Sequence, residues 1–334
     1  MKEIDWPALY RELVLIDNVV GVGRGIKMVR GESTGQEAVV VLVRKKYPRS
    51  DLARAALVPK RVAGAVSDVI EVGDIRLLGT ERTGEHRPAR PGISIGHYKV
   101  SAGTFGALVR DRATGESLIL SNNHVLANLT NGADGRAEAG DAILQPALYD
   151  GGSRDTSVIG HLQRFVPLHS QAVPPLCRIA RTFEALVNKF IGAFKPQYRV
   201  QVWRDNETPN MVDCAVAAPV AADAVAADVF EVGDVQGVRE TEIGMPVKKS
   251  GRSSGLTSSI ILATDVTLRV EMNYGEYGVF ADQLLAGPMS LPGDSGSLVL
   301  SEDNFAVGLL FAGSEQATMF TPIQRVLDAL EVAF

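Results

Sequence analysis

Leu291-Pro-Gly-Asp-Ser-Gly-Ser-Leu-Val-Leu300 sets a serine between two glycines and runs it into an apolar strand. Gly293 and Gly296 permit a sharp backbone bend. In such a bend the amides of Gly293 and Ser295 can converge on one point and hold the oxyanion of a tetrahedral acyl intermediate. The plain alternative is a tight turn before a strand. The flanking runs, Leu298 to Leu300 and Val307 to Gly313, weigh towards a nucleophile. A serine hydroxyl needs a base. Upstream, Leu118-Ile-Leu-Ser-Asn-Asn-His-Val-Leu126 places His124 just after a strand, and Met211-Val-Asp-Cys-Ala-Val-Ala217 places Asp213 at the head of another. His161 is the rival histidine, and Asp150 and Asp155 also fall between His124 and Ser295. Apolar neighbours at Val212, Ala215 and Val216 favour Asp213, because they set its carboxylate at a core edge where it can hold an imidazole in one tautomer.

Histidine, aspartate, serine is the chymotrypsin order, not that of subtilisin or the α/β-hydrolases. From about Pro91 to Phe334 the chain resembles a trypsin-like (chymotrypsin-fold) serine peptidase. It has Gly-Asp-Ser-Gly-Ser for the commoner Gly-Asp-Ser-Gly-Gly, and Ser-Asn-Asn-His-Val for Thr-Ala-Ala-His-Cys. More narrowly, three motifs resemble the plant Narrow Leaf family of serine peptidases and its bacterial relatives. They are Ser121-Asn-Asn-His-Val-Leu-Ala-Asn128, Gln145-Pro146 before Asp150-Gly-Gly152, and Lys249-Ser-Gly-Arg-Ser-Ser-Gly-Leu-Thr257.

The resemblance implies a mainly β fold, a chymotrypsin-like double β-barrel, and an intracellular peptidase activity. It implies His124 as general base, Asp213 as its orienting acid, Ser295 as nucleophile, and Gly293 and Ser295 as the oxyanion hole. In such enzymes the residue six before the nucleophile lies at the base of the primary pocket, which here is Met289. A cationic substrate side chain then lacks its usual counter-ion, and a medium apolar one is expected. Gly313 falls where the family has a pocket-wall glycine, with Ala312 beside it in place of a frequent tryptophan. The resemblance offers Asp294 as a partner for a newly cleaved N-terminus, as in trypsin zymogens. No activation peptide precedes Gly92-Ile-Ser, so Asp294 is read as structural.

The 334 residues leave roughly 90 outside the peptidase-like segment, enough for a small domain. We divide the chain into a small α/β domain over 1–80, a linker over 81–92 with two prolines and several charges, and a peptidase domain over 93–334. In the first, Asp5 caps a helix through about Ile16. Strands follow at Val19 to Val29 and Glu37 to Lys45, then a helix over Asp51 to Leu57 and a strand over Val69 to Leu78. Gly21-Val-Gly-Arg-Gly25 resembles a phosphate loop only superficially, since a strand follows it. In the peptidase domain a hairpin turning at Asp111 to Gly115 delivers His124. Thr321-Pro322 is expected to open a closing helix over Ile323 to Val332.

One insertion, about 174–195, carries Leu176, Ile179, Phe183, Leu186, Phe190 and Phe194 at helical spacing. The reading preferred is a surface helix packed on its own barrel, with a lid or a contact in a homo-oligomer as alternatives.

Apolar residues are 46% and charged residues 22%, and no apolar run is long enough for a membrane span. The N-terminus lacks the basic and apolar regions of a secretory signal. Two cysteines, Cys177 and Cys214, are few beside a disulfide-rich secreted enzyme. The expectation is a cytoplasmic enzyme without a disulfide, acting on proteins or peptides. Net charge −5 recommends no nucleic acid as partner, and no membrane partner is expected. The chemistry calls for no metal and no cofactor. The rival function is a peptidase-like scaffold that binds proteins with little turnover.

Overall fold

In the computed structural model, which describes residues 4–29, 32–53, 56–73 and 81–334, Asp5 accepts the Ala8 amide at 3.0 Å and opens helix α1 (Trp6–Leu13). Leu9 and Leu13, one turn apart, bury the same face. They pack with the alternate residues Val39, Val41 and Val43 of a four-stranded sheet. Its strands are β1 (Val19–Val29), β2 (Glu32–Val43), β3 (Arg61–Val62) and β4 (Ala65–Glu71), in the order β1-β2-β4-β3. Strands β2 and β4 run parallel and the other pairs antiparallel. Asp51 to Leu57, expected as a helix, forms no α-helix in its described residues. Between Pro48 and Pro59 its i→i+3 bonds, such as Asp51 N–H to Pro48 O at 2.9 Å, close only a 3₁₀ turn. The expected strand over Val69 to Leu78 is described to Glu71 as β4, and residues 74–80 lie outside the described ones. Gly25 is a packing glycine on β1: a Cβ there would meet Val40 Cγ2 at 2.6 Å.

The chain divides into two units, Met1–Gly79 and Thr80–Phe334. Residues 81–92, read as a linker, lie inside the second. Several of their polar groups are bonded within this unit. Arg82 donates to Gly92 O at 3.0 Å and Ser250 Oγ at 2.6 Å, while the Gln145 side chain bonds Gly84 O and the His86 amide.

The second unit begins with β5 (Ser94–His97), β6 (Gly103–Thr104), β7 (Ala107–Asp111), β8 (Ser117–Ser121), α2 (Asn123–Leu126), β9 (Ala142–Leu144) and β10 (Val158–Phe165). Then come β11 (Ala172–Val173), α3 (Arg178–Phe194), β12 (Arg204–Asp205) and β13 (Ala215–Pro219). Strand β20 (Val332–Ala333) from the C-terminus joins the sheet, whose order is β20-β7-β8-β13-β10-β9-β5-β6. Because β6 and β7 are successive pieces of one chain segment, the β6 end and the β7 side of this order meet. The sheet therefore closes into a barrel with β20 as an added edge. Ile95, Ile119, Ile143, Ile159 and Ala217, from five different strands, share one core.

The second barrel closes as β14-β15-β16-β19-β18-β17. Its strands are β14 (Pro246–Gly251), β15 (Gly255–Asn273), β16 (Glu276–Ala286), β17 (Leu298–Ser301), β18 (Ala306–Gly313) and β19 (Thr318–Pro322). The whole is a mainly β, chymotrypsin-like double barrel. Strands β15 and β16 continue as a hairpin, paired from Val266 to Asn273, past the last β16–β19 pair at Leu284.

Two sequence expectations need correction here. The closing helix begins at Ile323 as expected, but Pro322 is its N-cap and the last residue of β19, not its first helical residue, and Thr321 donates to Gln283 Oε1 at 2.7 Å inside the barrel. Helix α4 (Ile323–Ala329) then stops so that Val332 and Ala333 can pair with β7. The inserted helix α3 does not pack on its barrel. Leu176, Ile179, Phe183, Leu186, Phe190 and Phe194 are 59–80% exposed. The returning chain engages the helix through its polar edge instead: Asn188 exchanges two 2.7 Å bonds with Val200, and Glu184 accepts the Val202 amide. No helix among the described residues is long and apolar enough to cross a membrane.

Two outcomes are expected. With the exposed Phe190–Phe194 ring contact as the main packing to lose, Phe183→Asp with Phe190→Asp should change the unfolding free energy by no more than ~1 kcal/mol by urea denaturation. A large loss would mean that α3 is packed. In the β7–β8 turn, the amide of Thr114, the Arg164 guanidinium and the amide of Ala113 hold the Asp111 carboxyl down to about 2. A carboxyl so depressed stabilises the fold above its ordinary pKa, and that contribution is lost as pH falls through the folded value. Asp111→Asn should therefore lower Tm at pH 7 and flatten the decline of Tm from about pH 4 to 2. An unchanged slope would refute this.

Candidate active site

His124 stands on α2, directly after β8, and Asp213 two residues ahead of β13. These strands are antiparallel neighbours with Ser121 opposite Ala215, so both side chains leave the sheet at one end. The strand expected from Met211 begins only at Ala215, because the Asp213 carbonyl accepts Asn122 Nδ2 at 2.8 Å. Asp213, 2% exposed, takes the His124 Nδ1 hydrogen at 2.5 Å through Oδ2 and the His124 amide at 3.2 Å through Oδ1. With Nδ1 protonated towards the carboxylate, the acceptor lone pair lies on Nε2.

Ser295 comes from the other barrel, in the turn before β17. Gly293 and Gly296 have φ of +98° and +94°. A Cβ at Gly296 would lie 2.1 Å from Ser121 Oγ, so only glycine lets this turn press against the first barrel. Thr104 pins it: its amide donates to Ser295 O at 2.8 Å and its hydroxyl to Gly293 O at 2.9 Å. Gly103 separates the Val125 side chain from Ser295 O, since a Cβ there would meet them at 2.4 and 3.1 Å. The residue after His124 and the Ser295 backbone thus flank one glycine. The amides of Gly293 and Ser295 donate to no group among the described residues. The Ser295 hydroxyl donates to Phe311 O at 3.3 Å, and no hydrogen bond joins it to His124.

Asp294 is structural, as read, and its partner was not legible in the sequence. Lys249 Nζ lies 3.2 Å from Asp294 Oδ2, both side chains fully buried. The carboxylate also accepts the amides of Ser253, Ser254 and Leu291 at 2.8–3.1 Å and Ser254 Oγ at 2.5 Å. Burial pushes this carboxyl upward, but the Lys249 charge and these hydrogen bonds hold it below the usual range. Burial in turn lowers the Lys249 ammonium, against the pull of Asp294. A lysine in a strand reads as a solvated residue, so nothing local marks it.

The rival candidates lie elsewhere. Asp150 is held by Arg252 in a two-bond pair at 2.6 and 2.5 Å and by Ser94 Oγ at 2.5 Å, and Asp155 is exposed. His161 meets Gly140 O at 3.0 Å on the surface. No group of three His, Cys, Asp or Glu side chains among the described residues is arranged to hold a metal ion.

Two cavities flank the segment Ala312-Gly313-Ser314. One, about 470 Å³, opens on Ser295 and is lined by Leu291, Pro292 and Leu310. The other, about 450 Å³, opens on His124 and Asp213. Ala312 and Gly313 line both. Met289 lines neither: Thr318 Oγ1 accepts its amide and Thr257 Oγ1 donates to its carbonyl, and its side chain, 4% exposed, points into the second barrel core. Ser290 takes its place in the wall, and Glu315 is an acidic wall residue that counting back from the serine missed.

No protein-family model and no curated protein sequence matches this chain. Among solved structures, it is similar to Thermobifida fusca protease A at 15% identity, covering 73% of this chain and 98% of that one with a TM-score of 0.45. Cellulomonas bogoriensis chymotrypsin is similar at 16% identity, with 74% and 97% covered and a TM-score of 0.44. Nocardiopsis protease is similar at 15% identity, with 73% and 98% covered and a TM-score of 0.46. The fold of this chain stands on its own strand order and barrel closure.

The ion pair yields a prediction. Lys249→Met leaves Asp294 buried and uncompensated and should cost about 3–5 kcal/mol. Adding Asp294→Asn should restore part of that loss in urea unfolding. If the double variant were no more stable than Lys249→Met, the pair would not be the source of the cost.

Proposed function

We propose that the chain is a serine endopeptidase that cleaves peptide bonds through an acyl-enzyme on Ser295, with His124 as base and Asp213 as its orienting acid. The observation that carries this reading is the buried Asp213 carboxylate on His124 Nδ1, which turns the basic Nε2 away from the carboxylate, at a junction that also holds Ser295. For attack, the Ser295 hydroxyl rotates from Phe311 O to His124 Nε2 and gives up its proton as Oγ adds to the scissile carbonyl. The carbonyl oxygen becomes an oxyanion held by the two amides that donate to no other described group, those of Gly293 and Ser295. His124 then passes the proton to the leaving amine, and water repeats the sequence in reverse to free the acid. The acyl part of the substrate runs along Phe311 to Ser314, as in enzymes of this fold. Its side chain at the cleaved bond, termed P1, enters the Ser295 cavity, whose Leu291, Pro292 and Leu310 walls suit an apolar residue.

The Narrow Leaf resemblance supports the same chemistry, and its motifs surround the site: Arg252 holds Asp150, and Gln145 bonds residues 84 and 86. A cytoplasmic setting accords with a buried Cys214 and an exposed Cys177, both free thiols. The N-terminal unit would select substrates or govern access. The competing reading, a protein-binding scaffold with little turnover, draws on the Ser295 hydroxyl facing Phe311 O instead of His124.

A fluorophosphonate probe separates the two, because only an activated serine labels readily. We expect labelling of the wild type and none of Ser295→Ala. Ser295→Ala, His124→Ala and the double variant should each lose ~10⁴-fold or more in kcat on a protein substrate, without additivity. Full labelling of His124→Ala would sink the assignment of the base.

A further inference from the structure

The excursion that carries α3 has the opposite charge from the rest of the chain. Between the start of β11 and the end of β12, residues 172–205, six Lys and Arg side chains stand against two acids, Glu184 and Asp205, for a net +4 within a chain of net −5. Arg178, Arg181, Lys189, Lys195, Arg199 and Arg204 are all exposed, and none of them forms an ion pair among the described residues. The excursion is held at its base: β11 pairs with β12, the Gln171 amide donates to Tyr277 O on the β15–β16 hairpin, and the Asn206 amide donates to Gln171 O, both at 2.6 Å. Helix α3 has 17 residues and is about 25 Å long. Along it Ile179, Phe183, Leu186, Phe190 and Phe194 form one exposed stripe. At 3.6 residues per turn, Arg178 and Lys189, eleven residues apart, fall on one line along the border of this stripe. Glu184 and Asn188, which hold the returning chain, border its other side. One flank of the stripe is thus tied to protein, and the other is basic and open. Tyr198 and Trp203 on the returning chain are each more than half exposed.

We propose that α3 is an anchor that lies in the surface of an anionic lipid bilayer, with its apolar stripe in the acyl boundary and Arg178 and Lys189 on lipid phosphates. Helices with Phe and Leu on one face and Lys and Arg beside it bind at that depth, through apolar burial together with attraction to acidic headgroups. Tyrosine and tryptophan suit the same depth, because each ring is apolar and its O–H or N–H end is wet. Such a helix needs an apolar face and not the roughly 20 apolar residues of a membrane span. Charge separates this occupant from a second copy of the chain, which would bring one +4 segment against another. It also sets direction. An anionic surface repels a chain of net −5 as a whole and draws its basic excursion, so the molecule arrives with α3 towards the lipid. The anchor does not depend on the peptidase reading.

The test floats the full chain with vesicles of phosphatidylcholine, alone or with about one-third phosphatidylserine. The protein should bind the anionic vesicles more than about tenfold tighter than the neutral ones and lose that advantage in ~0.5 M NaCl. Phe183→Asp with Phe190→Asp should abolish flotation. Arg178→Glu with Lys189→Glu, which leaves the apolar stripe intact, should remove the preference for anionic vesicles, and circular dichroism should show both double variants folded. No flotation of the wild type, equal binding to the two kinds of vesicle, or a preference that either folded double variant retains overturns the anchor. Sedimentation velocity reads the rival occupant: a wild-type dimer that Phe183→Asp with Phe190→Asp converts to monomer means that a second copy covers α3, and overturns it too.

Discussion

The Lys249–Asp294 ion pair, withdrawn completely from water, is the constraint on which the serine turn depends. Two buried charges are expensive to desolvate, so the pair adds little net stability. It supplies direction instead. Asp294 is the residue before Ser295, and its two oxygens draw in the amides of Leu291, Ser253 and Ser254. The loop leading into the serine is thereby tied to the β14–β15 turn, while the amides of Gly293 and Ser295 donate to no described group. An internal ammonium on β14 thus meets the carboxylate of the residue before the serine.

The site is a junction, and each barrel holds the other's part of it. Thr104 of the first barrel bonds Ser295 O, Gly293 O and the Arg252 amide. Arg252 of the second returns to Asp150 of the first, where burial shields the pair from salt and solvent. Gly296 allows this approach, because a Cβ there would overlap Ser121 and Thr104 of the first barrel, whereas a Cβ at Gly103 would overlap Val125 of its own barrel and crowd Ser295 O at 3.1 Å. A small shift of one barrel would move the serine turn relative to His124, so the proposed chemistry depends on rigidity at this seam.

Around this seam the chain adds two excursions of different kinds. The β15–β16 hairpin turns its apolar face inward and becomes the wall of a cavity of about 450 Å³. Helix α3 turns its apolar face outward, and no described part of the chain covers it. The periodic pattern of α3 is amphipathic in either case, since periodicity reports a face and not what that face meets.

Much of the architecture was legible because its signals are local. Strand alternation, the Asp111 turn, the Asp5 cap and the glycine-flanked serine each reside in a few adjacent residues, where backbone sterics and hydrogen-bonding capacity decide the conformation. The serine, histidine and aspartate of the site could be named from such signals and from their order. What escaped depends on distant partners. Lys249 is buried only because Asp294 meets it across the barrel. Met289 turns inward only because Thr257 and Thr318 hold its peptide, and residues 81–92 are ordered by Gln145 and Ser250. Side-chain burial and ion pairing are properties of two or more segments at once, with energies set by the local dielectric and neighbouring charges. Sequence by itself marked Ser295, His124 and Asp213 as candidates and outlined most of the long strands. Tertiary structure alone decided which charges are dry, which apolar faces remain open, and which side chains wall the cavities.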